Sequence, residues 1–186
     1  NRLADPLIQV RYADFLSSDA RSRQEAKAIV RRVLRCRPQM ARACATLAWL
    51  EWSDGNRARS AEYYRLAANL QLDAEDFALD YFRTARFLRQ GEEALQWLVL
   101  RVKRYGTFSS YPAITLHRAY EILDRGHDGF TVLEAALKQR PDDGALRLFY
   151  AQALQGSGLF GDAARHLEAA RGKVAEGRWL AAHAEL

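Results

Sequence analysis

At 186 residues, with 49% apolar and 27% charged residues, the chain has ample material for a packed core and falls outside the disordered class. Its longest uncharged stretch, Leu148 to Gly161, is shorter than the roughly 20 residues a membrane-spanning helix needs, and glycine breaks it, which argues against membrane insertion. The net charge of +5, from 28 Lys and Arg against 23 Asp and Glu, is too small and too scattered to make the basic stripe that nucleic-acid binding wants.

Apolar residues at helical spacing, broken by Gly, Pro and Asp, predict pairs of helices along the whole chain and no strand. The first pair runs near Pro6 to Ser17 and Ser22 to Arg35, Pro6 suiting a first helical turn where its missing N–H costs nothing. The second spans Ala41 to Ser53 and Arg57 to Leu70 around Asp54-Gly55-Asn56, and the third Asp76 to Arg89 and Glu92 to Tyr105, turning at Gly91. Gly106 to Ser110 reads as a loop. Beyond it lie helices at Pro112 to Asp124 and Asp128 to Gln139, ended by Pro141-Asp142-Asp143-Gly144. The stretch Ala145 to Ala170 is the clearest hairpin: Leu148, Ala151 and Leu154, a break at Gly156 and Gly158, then Ala163, Leu167 and Ala170. The tail from Glu176 to Leu186 is helical in pattern, either a cap or the first helix of a sixth unit.

A small residue early in each second helix supplies a ruler. Ala26, Ala61, Ala94, Gly129 and Ala163 are spaced 35, 33, 35 and 34 residues apart, and Ala13, Ala48, Ala85, Ala119 and Ala151 match them in the first helices. Small residues at both places let two helices approach closely enough for ridges to enter grooves. The array resembles the tetratricopeptide repeat (TPR) family, a helix-turn-helix unit of about 34 residues. Ala151, Gly158, Ala163, Leu167 and Ala170 carry the likeness in the last unit, Ala119, Gly126, Gly129, Leu133, Ala136 and Pro141 in the fourth, and Ala13, Ala26, Val30, Val33 and Pro38 in the first. The resemblance implies an all-α fold: a right-handed α-solenoid, or superhelix, of about five TPR-like hairpins plus a C-terminal helix. The expected units are 5–38, 40–74, 75–108, 110–143 and 144–175, with the terminal helix at 176–186, all in one repeat domain. Half-a-TPR repeats of RNA-processing scaffolds are a second likeness, through Trp49 to Ala67.

The resemblance further implies a protein-binding scaffold whose first helices line a concave groove. One residue after each small first-helix position, and again three later, side chains should project into it. These are Asp14 and Ser17, Trp49 and Trp52, Arg86 and Arg89, Tyr120 and Leu123, and Gln152 and Gln155. Trp and Arg in its middle suit a peptide or protein segment with an apolar anchor and an acidic group. Glu51 falls where a large apolar residue would be usual, and either Trp49 or Trp52 competes for a place in the core. The family's clamp for a C-terminal carboxylate is not recognisable, since Val10 and Asp14 occupy the corresponding places.

No enzyme, cofactor or metal is expected. His117, His127, His166 and His183 are scattered over different units without metal-ligand spacing, and neither Ser109 nor Ser110 has a base nearby in pattern. Cys36 and Cys44 are too few for a disulfide framework and read as reduced, partly buried thiols. The chain opens on Asn1 without Met or a signal region, as expected for a piece of a longer protein, and an enzyme's accessory arm is a further reading. The compartment is left open, with the cytoplasm favoured. The ends of a truncated array offer apolar faces for self-association.

Overall fold

The computed structural model describes residues 5–185, and among them every regular element is helical. In chain order these are α1 (Pro6–Ser17), α2 (Arg23–Cys36), α3 (Ala41–Ser53), α4 (Arg57–Leu70), α5 (Glu75–Phe87), α6 (Gly91–Tyr105), α7 (Tyr111–Ile122), α8 (Gly126–Gln139), α9 (Gly144–Gly156), α10 (Phe160–Ala170) and α11 (Glu176–Ala184). The chain divides into two compact units, Asn1–Trp97 and Leu98–Leu186.

In the first unit α1 pairs with α2 and α3 with α4, while α3 also packs on α1 and α2, and α4 on α5. Val10, Ala13, Ala26, Val30, Leu47 and Leu50 form its centre. In the second, α7 pairs with α8 and α9 with α10, and α9 touches both neighbours. Ala113, Leu133, Leu146, Leu154 and Ala163 fill one cluster, and Leu148, Ala151, Leu167 and Ala170 a second that also takes Ala182 of α11. Trp179 fixes α11 by donating its indole N–H to the Leu167 carbonyl at 2.9 Å. Burial of alternating small and large residues, rather than propensity alone, keeps helices of this length folded.

Four of the five hairpin turns share one backbone device. Gly55, Arg89, Asp124 and Gly158 all have left-handed φ, at 82°, 60°, 57° and 78°. Just past each of them an N–H reaches back to close the helix: Asn56 to the Glu51 carbonyl, Gln90 to Ala85, Arg125 to Tyr120 and Leu159 to Leu154, at 2.8, 3.0, 2.9 and 2.9 Å. This is a Schellman closure, in which the left-handed residue lets otherwise orphaned carbonyls find donors.

The closure corrects two sequence expectations. The turn of the third hairpin is made by Arg89, not Gly91, and α5 ends at Phe87, so Arg89 is not a helical groove residue. In the fourth hairpin Asp124 turns the chain, and Gly126 is already the first residue of α8. An L residue in this region costs roughly 1–2 kcal/mol, part of which glycine returns as chain entropy. Arg89→Gly is therefore expected to raise stability by about 0.5–1 kcal/mol in a urea titration; an unchanged midpoint would mean that the arginine side chain offsets the strain.

The ruler also needs correcting in the fourth hairpin, where the residue facing Gly129 is His117 and not Ala119. A Cβ on Gly129 would lie 2.7 Å from His117 Nδ1. The sizes are exchanged here: a large residue on the first helix is accommodated by the loss of a side chain on the second.

Candidate functional site

The first helices of the first unit bring together a concave cavity of about 220 Å3. Asp14 of α1, Arg42, Ala45, Thr46 and Trp49 of α3, Tyr64 of α4, and Phe77 and Asp80 of α5 line it. The α3 residues recur every three or four positions, so the helix presents one continuous face to the cavity.

Its polar groups are organised across helices. Asp14 accepts from Arg42 Nε at 3.1 Å and Nη2 at 2.9 Å on one oxygen, and from the Thr46 hydroxyl on the other. Asp80 has one ion pair, with Arg83 Nη1 at 3.2 Å. Burial pushes the Asp80 carboxyl above its ordinary range, with Arg83 working against the shift. Burial and the Asp80 charge likewise raise the Tyr64 phenol. Trp49 stands with 48% of its surface exposed, a large apolar face at the cavity.

The other expected groove residues are distributed differently. Ser17 is buried, its hydroxyl donating to the Asp14 carbonyl at 2.6 Å. Trp52 is half-buried, packed edge-on to Phe87 at 4.9 Å, with the Arg57 guanidinium 5.4 Å from its ring. Arg86 is exposed and its stem lies against Gly91, while Arg89 is the turn residue already described. Leu123 caps the end of α7.

In the second unit Tyr120 lines a separate, mostly apolar cavity of about 230 Å3 with Val102, Leu116 and Val132, and Arg125 lies 4.9 Å from the centre of its ring. Gln152 is exposed, and Gln155 donates to the Glu185 carbonyl.

Thus Asp14 and Trp49 meet in one cavity, whereas Arg42, Ala45, Thr46, Tyr64, Phe77 and Asp80 are additions. Helical side chains lean toward the N-terminus, so counting backward from Ala48 as well as forward would have found Ala45 and Arg42. The same count from Ala85 in α5 gives Arg86, Phe82 and Leu79, so it does not find Asp80.

A buried charge cluster joins α2, α3 and the turn that follows α3. Glu51 is 1% exposed and Lys27 4%. Lys27 Nζ is 3.1 Å from Glu51 and 2.7 Å from Asp54, Arg31 Nη2 is 3.1 Å from Glu51, and the Asn56 amide donates to Glu51 Oε2 at 2.7 Å. Glu51 thus keeps the register expected of a core residue, its charge met by α2 and by the turn before α4.

Both cysteines are free; Cys36 is exposed and not partly buried as expected, and burial raises the Cys44 thiol. Among the described residues no group of three or more His, Cys, Asp or Glu is arranged to hold a metal, and no helix is long and apolar enough to cross a membrane.

Residues 125–186 match the family described as tetratricopeptide repeat. No curated protein matches the sequence. Among solved structures the chain is similar to YrrB, described as a TPR protein with an unusual peptide-binding site, at 14% identity and a TM-score of 0.50 over 97% of this chain and 92% of that one. It is also similar to PilF of Pseudomonas aeruginosa, at 18% identity and a TM-score of 0.49 over 95% and 82% of the two chains. A third likeness is to MamA, at 14% identity and a TM-score of 0.46 over 82% and 88%. At these identities the likeness is one of fold.

Proposed function

We propose, for a chain of tetratricopeptide repeat fold whose residues 125–186 match that family, that it is a scaffold that binds a peptide or protein segment on the concave face of its first helices. The observation that carries this is the cavity between α1, α3 and α5, with Trp49 half exposed at it. An indole held by a rigid helix costs little entropy to order, and Trp is among the residues whose truncation most often removes binding energy. YrrB is described as binding peptide, which agrees with this use of the fold. The rest of the groove set, Asp14, Ser17, Trp52, Arg86, Arg89, Tyr120, Gln152 and Gln155, contributes unequally: Asp14 holds α1 to α3 at the cavity wall, and Ser17 and Trp52 support the helices behind it.

The test is a peptide selected by display on the immobilised chain, titrated calorimetrically against the parent, Trp49→Ala and Leu180→Ala, the last an exposed apolar residue on α11. Trp49→Ala is expected to weaken binding about thirtyfold, corresponding to about 2 kcal/mol at a hot spot, and Leu180→Ala to leave it unchanged. Equal affinity for the parent and Trp49→Ala would remove the cavity as the binding site.

A further inference from the structure

The α1–α3–α5 cavity combines two kinds of group that seldom meet without a ligand to suit both. Trp49, Tyr64 and Phe77 are three aromatic side chains lining a space of about 220 Å3. Asp14 of α1 and Asp80 of α5 are two carboxylates lining the same cavity, against the single guanidinium of Arg42 in that lining. Asp14 is already engaged on both oxygens, by Arg42 and by Thr46. Among the described residues Asp80 pairs with Arg83, through one contact at 3.2 Å to a side chain itself 55% exposed. It is therefore the less compensated charge of the cavity.

Aromatic faces carry negative quadrupole potential and attract a cation that sits over them, more so where water is thinned. A carboxylate beside such faces adds a charge-assisted hydrogen bond to the same cation. An acidic group entering this space would meet the Asp80 charge and the negative faces of the rings together. We infer that the cavity is the subsite for a cationic side chain, lysine or arginine, of the bound peptide, with Trp49 covering its alkyl stem and Asp80 accepting from its charged head. This rests on the groove proposed above and reverses the acidic partner expected from Arg86 and Arg89. Arg89 is the turn residue of its hairpin, and Arg86 lies outside the cavity lining. The chain's net charge of +5 does not draw a cationic peptide in from a distance, so the preference is made by contact inside the cavity and not by steering.

The partly buried Asp80 carboxyl is consistent with this arrangement. Burial raises it above its ordinary value, with Arg83 opposing and Asp76 adding to the shift. A cation seated against it favours the charged form and so opposes that shift.

The experiment titrates the chain with three capped pentapeptides, Gly-Phe-X-Leu-Gly, in which X is lysine, norleucine or glutamate. Norleucine keeps the alkyl stem and removes the charge. The expected order is lysine, norleucine, glutamate, with lysine binding about tenfold or more tighter than norleucine. Asp80→Asn is expected to erase that tenfold and leave norleucine affinity unchanged, while Trp49→Ala weakens all three. Because each comparison is also made between peptides on the unmodified protein, a poorly folded variant does not decide the outcome. Equal binding of lysine and norleucine, a preference for glutamate, or no binding of the lysine peptide at millimolar concentration overturns the cationic subsite. Where lysine and norleucine bind equally and Trp49→Ala weakens both, the groove stands without the subsite. Where Trp49→Ala changes nothing, the groove itself falls.

Discussion

Lys27→Met is expected to destabilise the first unit by about 3 kcal/mol, the low end of what removing one partner from a buried ion pair costs. Glu51 would be left 1% exposed with Arg31 and the Asn56 amide as its remaining partners, and Asp54 would lose its 2.7 Å contact. Both half-cages are too weak to replace the ammonium, because Arg31 is half in solvent. Lys27→Met combined with Glu51→Leu should recover most of the loss, since an apolar pair of similar volume needs no compensation in a dry interface. Urea unfolding of the two variants checks this; a single variant as stable as the parent would mean that the buried pair contributes nothing.

The same cluster sets a pH dependence. Burial alone would raise the Glu51 carboxyl, but the hydrogen bonds from Asn56 and Lys27 and the charges of Lys27 and Arg31 outweigh it and hold it below its usual value. The Lys27 hydrogen bond also lowers Asp54. A folded-state pKa below the unfolded one contributes stability that is present above the ordinary carboxylate range, about 4, and is lost as the pH falls through the folded value. Melting temperature should drop on acidification below about pH 4, and drop less in the Met/Leu double variant.

Gly129→Ala is expected to cost about 1–2 kcal/mol, the strain of overpacking less the gain of replacing glycine in a helix. The new methyl would stand 2.7 Å from His117 Nδ1. His117 has little room to step aside, being 1% exposed with Phe130 at 5.3 Å and Phe149 at 5.5 Å set edge-on around it. In a His117→Ala background the clash is gone, and Gly129→Ala should change sign, becoming stabilising by up to about 1 kcal/mol. This reversal, read by thermal or urea unfolding, separates a specific contact from a general dislike of alanine at that place. A loss of equal size in both backgrounds would show that His117 is not the neighbour that requires glycine.

Much of the repeat organisation is legible in the residues. α1, α3 and α4 have the spans their apolar spacing predicts, and the other predicted helices are met within a few residues. Legibility fails where one residue type does another's usual work. Arg89 and Asp124 adopt the left-handed turn conformation that glycine signals elsewhere, so a search for glycines misplaces two of the turns. His117 takes the inward place of a small residue, compensated by Gly129 on the facing helix, so the nearby Ala119 is mistaken for the close contact. The position following Ala48 leads to Trp49, which lines the cavity between α1, α3 and α5. The matching count in α5 leads to Arg86 and Arg89 instead of Phe77 and Asp80.

The sequence by itself determined the local units: helices of three or four turns, breaks between them, and a period near 34 residues, because these depend on patterns among residues a few positions apart. Only the tertiary structure decided which side chains meet. Lys27 finds Glu51, Arg42 finds Asp14, and Trp49 shares a cavity with Asp80, all across helix boundaries. The rotation of each helix about its own axis selects these partners. That rotation is set by the packing of whole faces, and it is fixed only when the neighbouring helices are in place.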